Sequence, residues 1–188
     1  MKDIPYELIQ KAAIGDMSAF EEIYRLTSGS VYAVSYRITN SRPDAQEAAQ
    51  DVFLKLHANL GKFQEGTSFG AWIYRITVNT AINYYNKAKR KRGHEVYSEI
   101  ALESAGTEAD ADKGLIREDS EKKVAELLAQ LNPDQKACVV LREIEGLSYE
   151  EISDTLKVNI NTVKTRLMRA RETMMKCAAK RGERNEVR

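Results

Sequence analysis

Apolar residues recur at intervals of three and four along most of this chain, which is the spacing of one face of an α-helix. In the first half the recurrence is interrupted at Gly15, Asn40 and Gly61. The intervals between these breaks predict helices over residues 6–14, 18–40 and 43–60, and a fourth follows the turn-rich sequence KFQEGTS over 69–90. We expect these four helices to bury one core.

The periodicity disappears between Gly93 and Glu118. The sequence GHEVYSEIALESAGTEADADKG is rich in Gly, Ser, Ala and acidic residues. Such a composition is typical of a flexible linker, and a short helix within it is the alternative. The sequence therefore predicts an all-α protein of two small helical domains, with a four-helix module at 1–92, a linker at 93–118, a second domain at 119–181 and a disordered tail at 182–188.

Helical periodicity returns in the last third. A helix over 124–131 ends at Asn132-Pro133, and a second covers 135–145. Ser148 and Glu151 have the spacing of a capping box, which predicts a short helix over 149–156. The three-residue turn 157–159 then leads to a longer helix whose apolar seam is Val163, Leu167, Ala170 and Met174. Two helices joined by so short a turn predict a helix-turn-helix.

The second helix of this motif has a polar and basic face outside its seam. Asn159 is placed to cap its N-terminus, which would enter the major groove of duplex DNA. Arg166 and Arg169 are candidates for guanine contacts, and Lys164 and Arg171 for phosphate contacts. The predicted DNA-binding residues are Asn161, Thr162, Lys164, Thr165, Arg166, Met168, Arg169 and Arg171. The alternative is a solvated basic face on a structural helix hairpin.

The fourth helix has a second candidate surface. Trp72, Arg75, Asn79 and Asn83 recur at spacings of three and four, next to the loop over 63–68. Such an edge suits single-stranded DNA, since an unstacked base can be held in a loop pocket. Tyr84 or Tyr85 is a candidate for stacking. For Trp72, core packing is an equally good interpretation, because a lone tryptophan usually packs in a core.

The net charge of +1 does not itself indicate a nucleic-acid binder. The basic residues are clustered, however, over 87–92 and again over 164–171, and local charge sets the field that a phosphate backbone meets. Cys138 and Cys177 belong to no CxxC pair, and we expect two reduced thiols rather than a disulfide or metal site. His57 and His94 are isolated, so we expect no catalytic site, cofactor or metal.

The segment LNPDQKACVVLREIEGLSYEEISDTLKVNINTVKTRLMRAR, which begins at Leu131, closely resembles domain 4 of the extracytoplasmic-function (ECF) sigma factors, a subfamily of the sigma-70 family. The resemblance lies in a Leu-x-Pro opening, a Gly-x-Ser-Tyr-x-Glu-Ile core and the recognition helix Thr-Val-Lys-x-Arg-x-x-Arg-Ala-Arg. It implies that this helix reads the minus-35 promoter element. Asn161 stands where the family usually has Gly, which predicts altered contacts at the helix entrance.

The segment from Asp44 to Arg92 resembles sigma domain 2. The family's Asp-x-x-Gln-Glu-x-Phe block corresponds to Glu47 through Phe53, with the two carboxylates exchanged in type. The resemblance implies docking on the clamp of the largest polymerase subunit through Glu47, Gln50, Asp51, Phe53 and Leu54. It also implies that the minus-10 element is bound by Phe63, Gln64, Glu65, Gly66, Thr67, Ser68, Trp72, Arg75, Asn79, Asn83, Lys87 and Arg90. Taken alone, acids on a helix are more often a solvated face.

The acidic linker replaces the additional domain of larger sigma factors, which indicates the ECF subfamily. We therefore expect a transcription initiation factor whose partners are core RNA polymerase (clamp and flap), promoter DNA and an anti-sigma factor. The N-terminal sequence lacks the apolar stretch of a signal peptide and no segment has the length of a membrane span, so we expect a cytoplasmic protein. The rival interpretations are a response-regulator-type activator, an interaction protein that binds only a regulator and, least favoured, an enzyme.

Overall fold

The computed structural model describes residues 4–64, 66, 68–95 and 123–185. These residues form helices and turns without any strand, which confirms the predicted all-α fold class. The helices are α1 (Tyr6–Ala13), α2 (Met17–Thr39), α3 (Arg42–Asn59), α4 (Phe69–Glu95), α5 (123–129), α6 (Pro133–Val139), α7 (Tyr149–Leu156) and α8 (Ile160–Asn185). Of the predicted linker and tail, only 93–95 and 182–185 are described, as continuations of α4 and α8; the rest lies outside the described residues.

Short polar side chains begin α2 and α3. Asp16 Oδ1 accepts the backbone N–H of Ser18 at 2.9 Å and so caps α2. Ser41 Oγ plays the same part for α3, 3.4 Å from the backbone nitrogen of Asp44. Asn40, between the two helices, has a φ of 55°, a left-handed conformation that asparagine tolerates better than most residues. These local signals explain why the boundaries are readable from the sequence.

Helices α2, α3 and α4 pack side by side, and α1 packs on α2 near the short 3₁₀ turn (Leu60–Lys62) that follows α3. Their shared core contains the fully buried side chains of Ile23, Val31, Val52, Leu56 and Ile73. Burying each of these side chains stabilises the fold by about 1.5 to 3 kcal/mol. The expectation that the first four helices bury one core is confirmed.

The helix predicted over 135–145 differs from the structure at both ends. It begins at Pro133, because Asn132 Oδ1 accepts the backbone N–H of Gln135 at 2.9 Å. The side-chain Oε1 of Gln135 accepts the backbone N–H of Asn132 in return, which completes a capping box. After Val139 the backbone widens into one π-helical turn over Val140–Ile144. The Asn-Pro pair therefore starts a helix as well as ending one.

The predicted helix-turn-helix is confirmed. Ser148 and Glu151 form the predicted capping box at the start of α7, and Lys157 ends that helix with a φ of 53°. Asn159 Oδ1 then accepts the N–H of Asn161 at 2.8 Å, so the predicted cap of α8 is present. Beneath the turn, Ile152 of α7 packs in one buried cluster with the seam of α8.

The two helical modules, 4–95 and 123–185, pack against each other, an arrangement that the sequence pattern does not predict. Val34 and Ile38 of α2 and Val78 of α4 belong to the same buried cluster as Leu141 and Ile152 of the second module. Helix α7 lies against α4, and α6 contacts both α2 and α4. The second core is therefore completed by residues of the first module.

Candidate nucleic-acid interface

The exposed side of α8 carries the residues that the sequence predicts to contact duplex DNA. Val163, Leu167 and Ala170 are buried beneath it. Of the eight predicted residues, only Thr162 and Arg166 are partly buried; the exposed ones are Asn161, Lys164, Thr165, Met168, Arg169 and Arg171. The structure therefore gathers them on the side of α8 that faces away from its seam, and we call this surface the α8 strip.

Arg166 has a protein partner within the α8 strip. Its Nη2 lies 3.1 Å from Asp134 Oδ1 in the first turn of α6, and its side chain is 24% exposed. Burial raises the pKa of the Cys138 thiol, and the nearby guanidinium of Arg166 opposes this rise. A groove of about 390 Å³ between α6 and α8 is bounded by the ion pair and by Arg169. The sequence pattern gave no signal for this ion pair, because Asp134 and Arg166 belong to different helices.

Arg171 also forms an ion pair, but at the surface. Its Nη2 lies 2.9 Å from Glu143 Oε1, and both side chains are more than half exposed. Water and salt screen such a pair, so it stabilises the fold by about 1 kcal/mol at most. A phosphate group could therefore displace Glu143 at small cost.

The loop before α4 is held by an aromatic cluster. The ring of Phe63 lies 5.0 Å from that of Phe69 and 5.5 Å from that of Trp72, measured between centroids. Trp72 is partly buried, so the core-packing interpretation holds for part of its surface, and the remainder lines a cleft together with Gln64 and Ser68. Contact of Trp72 with a base stays a prediction.

The polar edge of α4 is accessible. Asn79, Asn83, Lys87 and Arg90 are exposed, and Arg75 is partly buried. Their spacing places them along one side of the helix, which leads away from the loop over 63–68. Gly66 and Ser68 of this loop are exposed, and the predicted contacts Glu65 and Thr67 lie outside the described residues.

Helix α7 faces the start of this edge, a contact for which the sequence pattern gives no signal. A cleft of about 490 Å³ has Trp72 and Arg75 on one wall and Glu151 and Asp154 of α7 on the other. Lys62 and Lys157 line the cleft as well, so charges of both signs surround the side chains predicted to bind DNA there. Hydrogen bonds from Ser148 keep the pKa of Glu151 below its ordinary value, which favours the charged carboxylate.

Three of the five predicted polymerase-binding residues, Gln50, Phe53 and Leu54, line an apolar groove between α2 and α3. This groove has a volume of about 1040 Å³, and its lining includes Tyr24, Gln50, Phe53 and Leu54. Leu54 is 69% exposed and Tyr24 49%, whereas Phe53 is 8% exposed and packs against Tyr24 with ring centroids 4.6 Å apart. Glu47 is exposed beside it. Tyr24 was missed because its helical spacing is also that of a core residue.

Asp51, which is also a predicted polymerase contact, does not line this groove and joins α3 to α4. Its carboxylate accepts a hydrogen bond of 3.0 Å from the hydroxyl of Tyr84. Partial burial, followed by this bond, raises the pKa of Tyr84 above its ordinary value. The Nζ of Lys87 lies 6.0 Å from the centre of the Tyr84 ring. Tyr84 is therefore engaged by neighbours on two sides, and its predicted stacking on a base stays untested.

Within the described ranges, no three His, Cys, Asp or Glu side chains are grouped closely enough to hold a metal ion. Both Cys138 and Cys177 are free thiols. Among the helices that the structure describes, none combines the length and apolar character needed to cross a bilayer.

Comparison with known proteins matches both modules to one family. Residues 23–91 match the family model described as Sigma-70 region 2, and residues 121–174 match the one described as Sigma-70, region 4. The first match includes the groove and the α4 edge, and the second includes the α8 strip. Both regions occur in the order that the resemblance implied.

Individual proteins agree with this assignment. The chain is 31% identical over 176 residues to the RNA polymerase sigma-H factor of Pseudomonas aeruginosa, covering 90% of this chain and 91% of that protein. It is 32% identical over 171 residues to the ECF RNA polymerase sigma-E factor of Haemophilus influenzae, covering 88% and 90%. The sigma factor RpoE of Bartonella quintana, solved with the anti-sigma factor NepR, superposes with a TM-score of 0.62 at 25% identity, covering 84% and 94%. The chain therefore belongs to the ECF sigma factors of the sigma-70 family.

Proposed function

We propose that this protein directs core RNA polymerase to promoters by binding two stretches of the same DNA, a paired minus-35 element and an opened minus-10 element. The observation that carries the proposal is the α8 strip. It lies on a helix whose entrance is capped by Asn159 and whose opposite side is buried, so its polar residues face outward in fixed positions. A rigid helix with an outward basic face is what reading of the major groove requires.

The first module supplies the second DNA contact. Trp72 and the loop side chains line a cleft, and Asn79, Asn83, Lys87 and Arg90 continue from it along α4. A base taken out of the stack can be held by aromatic and polar groups, while lysine and arginine neutralise the backbone. Opening the duplex costs a few kcal/mol per extruded base. We therefore expect this module to bind single-stranded DNA in preference to duplex.

Polymerase is the partner proposed for the groove between α2 and α3. Exposed Leu54 and Tyr24 offer apolar surface, and Glu47 beside them offers negative charge to a basic partner helix. Apolar side chains exposed together usually mark an interaction surface. Polymerase then supplies the catalysis and sets the spacing between the two modules. The flap is the proposed contact of the second module.

We also propose control by an anti-sigma factor, with the protein acting in the cytoplasm. The support is the solved RpoE complex from Bartonella quintana, in which a related sigma factor is bound by NepR. Co-purification from the native host tests this point, since a regulator and polymerase would each be recovered with the chain. A response-regulator activator is disfavoured, because the described residues of the first module contain no strand for a receiver domain.

The decisive experiment is transcription in vitro with core polymerase of the host and genomic promoter fragments. Wild-type protein is expected to start RNA chains at a defined set of promoters, while Arg169→Ala, which alters the α8 strip, starts fewer. Lys11→Ala is the matched control, because Lys11 is an exposed basic residue of α1 outside all three candidate surfaces. If wild-type protein starts no more chains at any promoter than core alone, the proposed function is wrong.

A further inference from the structure

Two lysines at the end of α3 lie beside the polar edge of α4. Lys55 Nζ donates a hydrogen bond of 3.0 Å to Thr80 Oγ1 in α4. Lys62, in the 3₁₀ turn that follows α3, lines the cleft together with Trp72 and Arg75. Neither lysine is among the predicted DNA contacts, because the resemblance assigns α3 to polymerase.

The register of the two helices explains why these lysines meet the α4 edge. Helices α3 and α4 run antiparallel, since successive turns of α3 meet α4 in reverse order. Thr80 directly follows Asn79 and precedes Asn83 by less than one turn, and both asparagines are exposed. Lys55 therefore reaches the middle of the edge, and Lys62 lies at its beginning.

An amide side chain orients Lys62. Asn59 Nδ2 donates a hydrogen bond of 2.9 Å to the carbonyl of Lys55, and Asn59 Oδ1 accepts one of 3.0 Å from Lys62 Nζ. Residues three and four positions apart are neighbours on a helix surface. Lys55, Asn59 and Lys62 therefore form one continuous strip, which we call the α3 rail.

The positive charges of the α3 rail are not neutralised by the protein. Both ammonium groups are held by neutral oxygens, the hydroxyl of Thr80 and the amide of Asn59. No carboxylate forms an ion pair with Lys55 or Lys62 within the described ranges. Asp51, one turn before Lys55, is hydrogen-bonded to α4 instead. Both lysines are exposed, so an anion can reach them.

The α3 rail is distinct from the proposed polymerase groove. The α3 residues that line this groove are Gln46, Ala49, Gln50, Phe53, Leu54 and His57, and no rail residue is among them. Successive residues of a helix point about 100° apart, so Leu54 and Lys55 face in different directions. One side of α3 is thus available to polymerase and another to DNA.

We propose that the α3 rail binds the phosphate backbone of the opened strand, with Lys55 and Lys62 as contacts and Asn59 as the residue that positions Lys62. The proposal rests on the proposed function of the α4 edge. A strand along that edge would have its phosphates beside cations of both helices. An ammonium group has three donors, so each lysine can keep its present hydrogen bond and still donate to a phosphate oxygen. Side chains already held in place lose less conformational entropy on binding.

The contacts are tested with single-stranded oligothymidine, which carries phosphates but no promoter sequence. Lys55→Ala and Lys62→Ala should each reduce the slope of log affinity against log salt by about 0.7 to 1, since one fewer counterion is released. From about 50 to about 200 mM salt, wild-type affinity should therefore fall about threefold more than that of either variant. Lys11→Ala, which removes an exposed charge from α1, should keep the wild-type slope. If both rail variants also keep it, the proposal is wrong.

Asn59 offers a test that leaves both lysines in place. Asn59→Asp puts a carboxylate where the amide oxygen lies 3.0 Å from Lys62 Nζ, so the ammonium is neutralised and the slope should fall as in Lys62→Ala. In the Lys62→Ala background the same change should have a much smaller effect, because no ammonium is left to neutralise. An equal effect in both backgrounds would show that Asn59 does not act through Lys62.

Protection from an amine-acylating reagent measures the contacts without any substitution. With free oligothymidine at about ten times its Kd, acylation of Lys55 and Lys62 should slow about tenfold, while that of Lys11 should not change. Unchanged reactivity of both rail lysines, or no binding of oligothymidine by wild type, would overturn the α3 rail. If these results are positive but the protein starts no RNA chains, only the proposed function is wrong. If it starts RNA chains without these effects, only the rail is wrong.

Discussion

Arg166 forms an ion pair with Asp134, 3.1 Å away in α6, whereas Arg169, three residues further along α8, forms no ion pair within the described ranges. The sequence pattern makes these two arginines equivalent candidates for guanine contacts. The structure distinguishes them, because Arg166 is partly buried and Arg169 is exposed. Arg169 is free to turn toward a base edge, and Arg166 is held by the protein. We therefore propose that Arg169 reads sequence and that Arg166 positions α8.

Arg169→Ala is expected to cost about 1 to 3 kcal/mol of binding free energy and to relax the preference at one promoter position, because a bidentate guanine contact is lost. Competition binding on a panel of minus-35 variants measures it. Lys11→Ala serves as control and should leave every affinity unchanged. An equal loss on all variants would show that Arg169 contacts only phosphate.

Arg166→Ala is expected to lower the free energy of unfolding by about 1 kcal/mol, since a partly screened ion pair and the packing of the side-chain stem are both lost. Urea unfolding followed by circular dichroism measures the change. Its effect on DNA binding should be the same for every minus-35 variant. A relaxed preference at a single position would instead assign a base contact to Arg166.

Lys87→Ala should weaken binding to all single-stranded sequences alike and reduce the salt slope by about one, because one phosphate contact with its released counterion disappears. The affinity is titrated at several salt concentrations, with Lys11→Ala as the matched loss of one positive charge. If the slope is unchanged, Lys87 does not contact the backbone and only packs near Tyr84.

Leu54→Ala is expected to weaken binding to core polymerase tenfold or more, since up to about 1.5 to 3 kcal/mol of apolar burial is lost at the groove. Leu54→Met keeps the apolar side chain and should bind nearly as wild type. Fluorescence anisotropy with labelled protein provides the measurement. Equal affinity of the alanine variant and wild type would remove Leu54 from the polymerase interface.

Glu151→Gln tests the pH dependence of the α7 cap. Hydrogen bonds from Ser148 lower the pKa of Glu151 below 4.5, so the charged group stabilises the fold above that value. This contribution should disappear as the pH falls through the lowered pKa, because the carboxyl is then protonated in both states. Urea unfolding should therefore give wild type a larger free energy of unfolding than the variant at neutral pH. The difference between the two proteins should become smaller in acid. Glu150→Gln, which removes a charge from the same turn, is the control.

The sequence alone was sufficient for the features that arise between near neighbours in the chain. Helical geometry determines which side chains come into contact within one or two turns. The caps at Ser148 and Asn159 depend on such neighbours, and so does the buried seam through Val163 and Leu167. The fold class and the α8 strip follow from these signals. The start of α6 was misplaced only because Asn132 was taken as a stop.

Only the tertiary structure decided which helices meet. Lys136 donates a hydrogen bond to the carbonyl of Ile38, 98 positions away, and Tyr74 donates one to Glu145, 71 positions away. Spacing rules concern one helix at a time and place a lysine at the surface, so they give no signal for a lysine that is buried against another module. The same holds for the pairing of Arg166 with Asp134. Local patterns thus determined each helix and its faces, while the packing between helices determined which of those faces remain accessible to DNA.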